Sequence, residues 1–308
     1  MKLSFSNSLK KRVKITCLVF AAFMATSGVV KAQEDSTENT GPVPITRTFR
    51  GPQLINMPTN EIIGSLTFGI QHRFGQIIDK DIIYDFLGMD LTANMRFSLG
   101  YPIIKDRLQV ELGRTKFGKN VDLEIKWQVL RQTEKNEMPI SLALYVDPSV
   151  STERFPTVPD YAFFADSITP FKYEFAHRVA YNTQIIITRK FSKKFSMMIA
   201  PVFIYKNLVP VAVDPKDQKD HHTLAIQAGA RFKYSSKGAV MAEYAHQFNN
   251  VDVPNEIYSL GVEFSTVGHV FQLVMSSSNN ILGADIYTNT NVSLAHGIFI
   301  GFNMKRFF

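Results

Sequence analysis

Apolar and polar residues alternate at every second position along most of the chain after residue 51. The stretches "EIIGSLTFGIQHRFG", "DLTANMRFSLGY", "NVDLEIKWQVL" and "HGIFIGFNMKRFF" all have this pattern. Successive side chains of a β-strand point to opposite faces, so this period predicts strands with one apolar and one polar face. The pattern recurs over residues 108–115, 140–146, 178–189, 195–206, 223–234, 238–248, 257–265 and 269–276. We therefore predict twelve strands.

The predicted connections alternate in length. The even-numbered ones are short, for example "FSKK" and "SSKG", and the odd-numbered ones are mostly long, for example residues 148–174. Only "GKN", between strands three and four, breaks the pattern. Short turns at one end and long loops at the other are typical of bacterial outer-membrane barrels. The sequence thus predicts an all-β fold, a transmembrane antiparallel up-and-down β-barrel of about 12 strands in outer-membrane lipid.

Aromatic residues near the ends of the predicted strands favour the same interpretation. Two girdles of aromatic side chains mark the interfaces of such barrels. The candidates for these girdles are Phe74, Tyr101, Tyr145, Tyr205, Tyr234, Phe248 and Tyr258.

The first 32 residues predict a cleaved signal peptide. Basic residues precede the apolar run "ITCLVFAAFMATSGVV", and "VKA" places small residues before a cleavage between Ala32 and Gln33. Residues 33–50 are polar and predicted to be disordered, and residues 51–308 are predicted to form the barrel. The chain would then be exported to the cell outer membrane.

Removal of the leader changes the charge of the chain. The leader holds six of the 34 lysines and arginines and no acid, which leaves 28 basic residues against 27 acidic ones. The basic isoelectric point therefore gives no reason to expect a nucleic-acid partner. The only cysteine, Cys17, also lies in the leader, which excludes a disulfide scaffold or a thiol enzyme for the mature chain.

Charged residues occupy the inward parity of many predicted strands. The candidates for lining the lumen are Arg73, Arg96, Glu111, Asp122, Glu124, Lys126, Arg178, Arg231, Glu243 and Glu263. Buried charges must be paired or hydrated. Two interpretations stay open, a network that cross-links and fills the interior, or a narrow pore with water between the charges. The mixed signs argue against strong selectivity for cations or anions.

Six of the seven histidines are predicted near the rim that carries the long loops. His72 and His296 would be neighbours where the first and last strands meet, and two imidazoles are weak candidates for a metal site. The simpler interpretation is that histidine suits the lipid interface, and we predict no cofactor. Ser277 with His296 could mimic the pair of an outer-membrane phospholipase, but no orienting group accompanies them. "DPKDQKDHH" supplies carboxylates and histidines like those of outer-membrane proteases, but its simpler interpretation is a solvated loop. We do not predict an enzyme.

The last strand ends on phenylalanine. Alternating apolar residues that include Phe302 and Met304 and end at Phe308 resemble the outer-membrane assembly signal that the barrel-assembly machinery reads. This strand would also close the barrel against the first one, because an open edge in hydrocarbon leaves backbone groups unpaired.

Four short motifs, "FRGPQLIN", "HRFG", "EYAHQF" and "GIFIGFNMKRFF", resemble a family of uncharacterised Gram-negative β-barrel proteins known only as a domain of unknown function. The resemblance covers nearly all of the chain after the leader. It implies a barrel and an outer-membrane location, and no activity or functional residue.

Three functions are therefore considered. The first is a narrow channel or transporter for a small polar solute. The alternative is a non-channel barrel that binds an extracellular or periplasmic protein partner through residues 148–174, 207–220 or 277–293, or through the lead-in. The weakest is a rim enzyme.

Overall fold

A computed structural model of the chain describes residues 42–77, 83–159, 162–211, 219–249, 256–288 and 297–308. Twelve antiparallel strands form a closed barrel in which each strand pairs with its neighbours in sequence, and β12 pairs with β1. The predicted strand number and topology are confirmed. The predicted signal peptide and the first part of the lead-in lie outside the described residues.

The strands agree with the sequence pattern in number and order. They are β1 (Thr67–Ile77), β2 (Asn94–Ile104), β3 (Leu108–Thr115), β4 (Asn120–Leu130), β5 (Ser141–Ser151), β6 (Val179–Lys190), β7 (Phe195–Lys206), β8 (His222–Lys233), β9 (Gly238–Gln247), β10 (Glu256–Ser265), β11 (His269–Ser276) and β12 (Ile298–Phe307). The helical elements are α1 (Gly283–Ile286) and the 3₁₀ turns Phe117–Lys119 and Phe175–Arg178. Within the described ranges, no helix has the length and apolar character to cross a membrane.

The alternation along each strand separates an apolar outer surface from the lumen. In β7, Met198 and Ile204 point inward and are buried, whereas Ile199 and Phe203 between them are exposed on the outer surface. Tyr145, predicted for an aromatic girdle, is instead buried in the lumen. In β5 the outward parity belongs to residues such as Leu144, so the neighbouring tyrosine must face inward.

The seam between β1 and β12 closes the barrel. His72 lies opposite Phe302 in the register, and a bulge follows between Arg73 and Gln76. Gly301 faces this region, and a side chain there would collide with the carbonyl oxygen of His72. Glycine is therefore required at this close approach of two backbones.

The lumen is filled from the short-turn end by residues 48–63, which we call the N-terminal plug. Phe49, Leu54, Ile55 and Met57 are buried there and form a core with inward residues of the barrel. The end of the lead-in was predicted to be disordered, but Thr48 and Phe49 are buried and hydrogen-bonded. The apolar side chains of "FRGPQLINM" explain the difference, because they gain more from burial in the lumen than from exposure.

A second segment, residues 277–288, enters the lumen from the long-loop end, and we call it the loop insert. It contains α1, and Leu282, Ala284, Ile286 and Tyr287 are buried. The sequence placed this segment among the extracellular loops that would bind a partner. Its described part lies instead inside the barrel, because its apolar side chains complete the core.

Candidate functional site

A single carboxylate holds the tip of the N-terminal plug. Glu243 of β9 is buried and accepts hydrogen bonds from the amide nitrogens of Ile55 (2.6 Å), Asn56 (3.0 Å) and Met57 (3.0 Å). The Asn303 side chain on β12 donates to the carbonyl oxygen of Ile55 (2.8 Å). Backbone groups of the plug thus find partners on the barrel wall, as buried polar groups require.

A second carboxylate folds the base of the plug on itself. Glu61 accepts hydrogen bonds from the amide nitrogens of Thr48 (2.7 Å) and Phe49 (3.1 Å). Burial raises the pKa of Glu61, and these two hydrogen bonds act in the opposite direction. The ammonium of Lys126 on β4 donates to the carbonyl oxygen of Pro52 (2.8 Å). A residue predicted to line the lumen therefore binds the plug.

Small residues of the wall make room for the apolar side of the plug. A Cβ atom at Gly229 would lie 2.5 Å from the Cδ2 atom of Leu54, and one at Gly261 would lie 3.2 Å from the Cδ1 atom of Ile55. Leu54 and Ile55 are 1% and 0% exposed. This fit is that of a packed protein interior.

Six of the ten predicted charged residues form two ion-pair groups in the lumen. In the larger group, the Arg96 guanidinium contacts Asp122 (2.5 Å), Glu124 (2.7 Å) and Glu111 (3.5 Å), and Lys305 contacts Glu111 (2.6 Å). In the smaller group, Arg231 contacts Glu263 (2.5 Å). The charges of these two groups are therefore paired, as the cross-linked interpretation requires.

Eight of the ten predicted lumen residues are buried in the interior, and Arg73 is among them, donating to Asn303 (2.8 Å) and to Asn56 of the plug (2.8 Å). Glu124 also joins the interior network, with 21% of its side chain accessible. The prediction for Arg178 is wrong. It lies in a 3₁₀ turn before β6 begins, where strand parity does not apply, and its guanidinium lies 3.6 Å from the centroid of the Phe155 ring.

Two polar cavities of about 20 Å³ each lie within the filled lumen. Each is large enough for about one water molecule. The first is lined by Glu124 of the barrel wall, Pro52 of the plug and Tyr287 of the loop insert, among others. Mid-lumen residues such as Gln184 and Gln227 are fully buried, so solvent does not reach their side chains.

Sequence reasoning missed three side chains that make polar contacts in the lumen, Lys305, Asp285 and Tyr287. Lys305 occupies the inward parity of the last strand, so parity was the signal that could have found it. Tyr287 donates a hydrogen bond to Gln227, and Asp285 receives the ammonium of Lys206 at 3.1 Å. Burial raises the pKa of Tyr287 above its usual range. No local signal distinguishes these loop residues from solvated ones.

Five of the six histidines that the structure describes pack against aromatic rings. His72 stacks on Phe302 with ring centroids 5.2 Å apart, and the corresponding partners of His177, His221, His246 and His269 are Phe171, Tyr205, Phe248 and Phe271. Across the ranges that the structure describes, no three metal-ligating side chains cluster. His296 lies outside those ranges, so its predicted proximity to His72 stays a prediction. Ser277 is buried and accepts the amide of Tyr258 (3.1 Å).

The three residues of the predicted assembly signal lie on or beyond the closing strand. Phe302 and Met304 have the outward parity of β12. The amide of Phe308 donates to the carbonyl oxygen of Leu66 (3.0 Å), and its side chain is 60% exposed. An exposed terminal ring remains accessible, and its role in assembly stays a prediction.

Residues 49–308 match the model of a family described as "Membrane bound beta barrel domain (DUF5777)". This match confirms the resemblance to a β-barrel family of unknown function. None of the curated proteins matches the chain.

Solved structures of similar form share little sequence with this chain. The NanC porin is 7% identical, with a TM-score of 0.47, over 79% of this chain and 100% of that one. An outer membrane channel from Pseudomonas putida F1 is 10% identical, with a TM-score of 0.47, over 80% and 97%. Outer membrane phospholipase A from Escherichia coli is 9% identical, with a TM-score of 0.40, over 79% and 90%. Identities this low and TM-scores below 0.5 support no conclusion about activity.

Proposed function

Because the chain belongs to the DUF5777 family of membrane-bound β-barrel domains, we propose that it is an outer-membrane channel for small polar solutes, held closed by its N-terminal plug. The observation that carries this proposal is the chemistry of the wall behind the plug. Arg73, Glu243 and Asn303 face the lumen there, next to glutamine, serine and charged neighbours. These groups bind the backbone and side chains of the plug when it fills the lumen, and as polar groups they could be hydrated when it leaves, so the wall suits both states.

The way the plug is attached is compatible with withdrawal. It is one continuous segment at the N-terminal side of β1, so it can leave the lumen without breaking any pair of strands. Gly64 lies between the plug and β1, is exposed, and would have no atom within 4 Å of an added Cβ. Glycine in open space is a suitable hinge, because it allows large changes of backbone angles.

A reversible lock on the plug tests this function. Ile55→Cys and Gly261→Cys are combined, since the Ile55 side chain reaches 3.2 Å from the position of a Cβ on Gly261. The barrel is purified from membranes and studied in planar bilayers. We expect single-channel steps under reducing conditions and their loss on oxidation. Each single-cysteine variant serves as the control and should not respond to oxidation.

Steps that persist in the oxidised double variant would show that the plug is not the gate. The channel would be excluded if no single-channel steps were seen in any of three proteins: the wild type, the reduced double variant and a variant without residues 48–63.

A second candidate is a non-conducting barrel that binds a partner through the long loop between β5 and β6. The described part of this loop stacks Phe155 on Tyr173 and Phe171 on His177, and it exposes Ile168 (80%) and Phe175 (69%). Exposed apolar side chains on an ordered loop are typical of binding surfaces. A silent barrel, with a partner whose binding is lost in Ile168→Ser/Phe175→Ser but kept in Ile83→Ser, would favour this candidate.

A further inference from the structure

A larger cavity, of about 570 Å³, opens at the short-turn end of the barrel. One side is formed by residues 46–50, where the chain enters the plug. The other side is formed by the ends of β6, β7, β8 and β10 and by the β6–β7, β8–β9 and β10–β11 turns. It therefore has walls from both the plug and the barrel.

The charges around this cavity have one sign. Arg47 and Arg50 come from the plug side, Lys193 and Lys194 from the β6–β7 turn, and Lys237 from the β8–β9 turn. The adjoining strand ends add three more cations, and no aspartate or glutamate lines the cavity among the described residues. Like charges held this close repel each other, so an anion between them is strongly favoured.

Only one of these eight cations has a carboxylate within 4.0 Å among the described residues, and that is Arg231, paired with Glu263. Lys190 donates to the carbonyl oxygen of Arg47 (2.9 Å), and Lys233 also lines the cavity. The set therefore lacks the internal neutralisation that is present around Arg96. A surplus of unpaired cations in a concave site is the electrostatic requirement for binding a polyanion.

Arg50 is the most constrained member of the set. One terminal nitrogen donates to the carbonyl oxygen of Thr266 (2.7 Å), while the Nε atom is buried and has no hydrogen-bond partner. Burial first, and then the neighbouring Arg47, lower the pKa of Arg50.

We propose that this cavity is a binding site for a phosphate-bearing anion. Phosphate oxygens match the planar fork of arginine and the point charge of lysine, and several can be contacted at once. The volume exceeds that of one phosphate, so the ligand carries more than one phosphate or a phosphate on a larger group. Either a free polyphosphate or the headgroup of an anionic lipid has this chemistry. The site exists whether or not the lumen conducts.

The test uses full-length barrel purified in a neutral detergent and titrated calorimetrically with sodium tripolyphosphate at low salt. The variant Arg50→Gln/Lys233→Gln/Lys237→Gln removes three charges from the cavity. The control Lys105→Gln/Arg107→Gln/Lys135→Gln also removes three positive charges, but from the β2–β3 and β4–β5 turns at the same end of the barrel. We expect the first variant to lose at least about tenfold in affinity, the effect of one charge-assisted hydrogen bond, and the control to change by less than about twofold. Equal losses in the two variants would overturn the site, because only net charge would then matter.

Lipid arms distinguish the two sources of phosphate. Wild type and both variants are placed in nanodiscs of phosphatidylcholine with or without phosphatidylglycerol, and native mass spectrometry counts the retained lipids. If the site binds lipid, the wild type and the control variant retain phosphatidylglycerol and the cavity variant does not. Tripolyphosphate then binds the wild type only in nanodiscs of pure phosphatidylcholine. A site for free anions binds tripolyphosphate equally in both nanodiscs. Failure of the wild type to bind either probe would overturn the proposal.

The single variant Arg50→Gln provides the same comparison if the triple variant does not fold.

Discussion

A carboxylate oxygen of Glu243 lies 2.6 Å from the amide nitrogen of Ile55, 188 positions earlier in the chain. The same carboxylate accepts the amides of Asn56 and Met57, so one wall residue satisfies three consecutive backbone donors of the plug. Such charge-assisted bonds are roughly twice as strong as neutral ones. This contact is the most specific polar attachment between the plug tip and the barrel.

We expect Glu243→Ala to loosen the plug while the barrel remains closed. The substitution leaves buried amide groups without an acceptor, each at a cost of about 1–3 kcal/mol. Hydrogen–deuterium exchange should become faster at residues 54–57 and stay unchanged in β3 and β4. Glu256→Ala, at the rim, is the control, because it removes an acid that does not contact the plug. Unchanged exchange at residues 54–57 in Glu243→Ala would contradict the anchoring role.

The contact between Leu54 and Gly229 predicts a coupled pair of substitutions. Gly229→Ala places a methyl group against Leu54 and should lower the free energy of unfolding by about 1–3 kcal/mol. Leu54→Ala alone should cost about 2–5 kcal/mol through lost burial and the resulting cavity. In the double variant the added methyl has room, so its cost should fall. Urea unfolding of the four proteins measures this coupling.

Gly64→Ala is the matched control, since a Cβ there meets no atom within 4 Å. A cost for Gly229→Ala that is the same with and without Leu54 would mean that the plug does not pack against β8.

Arg96 is predicted to stabilise the barrel through its three carboxylate partners. Arg96→Met leaves Asp122 and Glu124 close together and unneutralised, which should cost about 3–5 kcal/mol. Adding Asp122→Asn and Glu124→Gln to this variant should restore much of the loss. Arg114→Met is the control, because the Arg114 side chain is exposed on the outer face of β3, away from the ion pairs of the lumen. If urea unfolding shows no rescue in the triple variant, the loss is not due to unpaired charge.

The strands were predictable from sequence, because their positions depend on a local period of two residues. Strand β7, with Met198 inside and Phe203 outside, follows from this alternation alone. Closure of the barrel follows from the need to pair every strand edge. The inward charges followed from the same parity, which is why Arg96 and Asp122 were found. Arg178 was misplaced because the strand begins one residue later.

The filling of the lumen was not predictable in the same way. Ile62 has the parity of β1, so the plug looks like an extension of the first strand, and the loop insert looks like a long exposed loop. What distinguishes them is contact with residues far away in sequence, as in Ile55 with Glu243 and Tyr287 with Gln227. A single sequence contains no local signal for such contacts.

The signal peptide gives a direct prediction about the mature chain. Cleavage after Ala32 should give an N-terminus at Gln33. Mass spectrometry of protein extracted from membranes measures this. Ala32→Arg, which places a large charged residue at the cleavage site, should leave uncleaved precursor. Wild-type protein that retains Met1 would remove the argument for export.

Phe308 is predicted to act in assembly through its ring. Deletion of Phe308 removes both the ring and the amide that bonds to Leu66, so it cannot separate recognition from barrel closure. Phe308→Ala keeps the amide and removes only an exposed ring, whose loss should cost the finished barrel little stability. We therefore expect Phe308→Ala to reduce the amount of folded barrel in the outer membrane while urea unfolding of the purified protein is unchanged. Phe191→Ala, an exposed ring at the same end, should leave both measurements unchanged. If Phe308→Ala and Phe191→Ala insert equally well, the ring of the terminal phenylalanine is not the assembly signal. The contribution of Phe308 is then its backbone bond to Leu66, which closes β12 on the chain before β1.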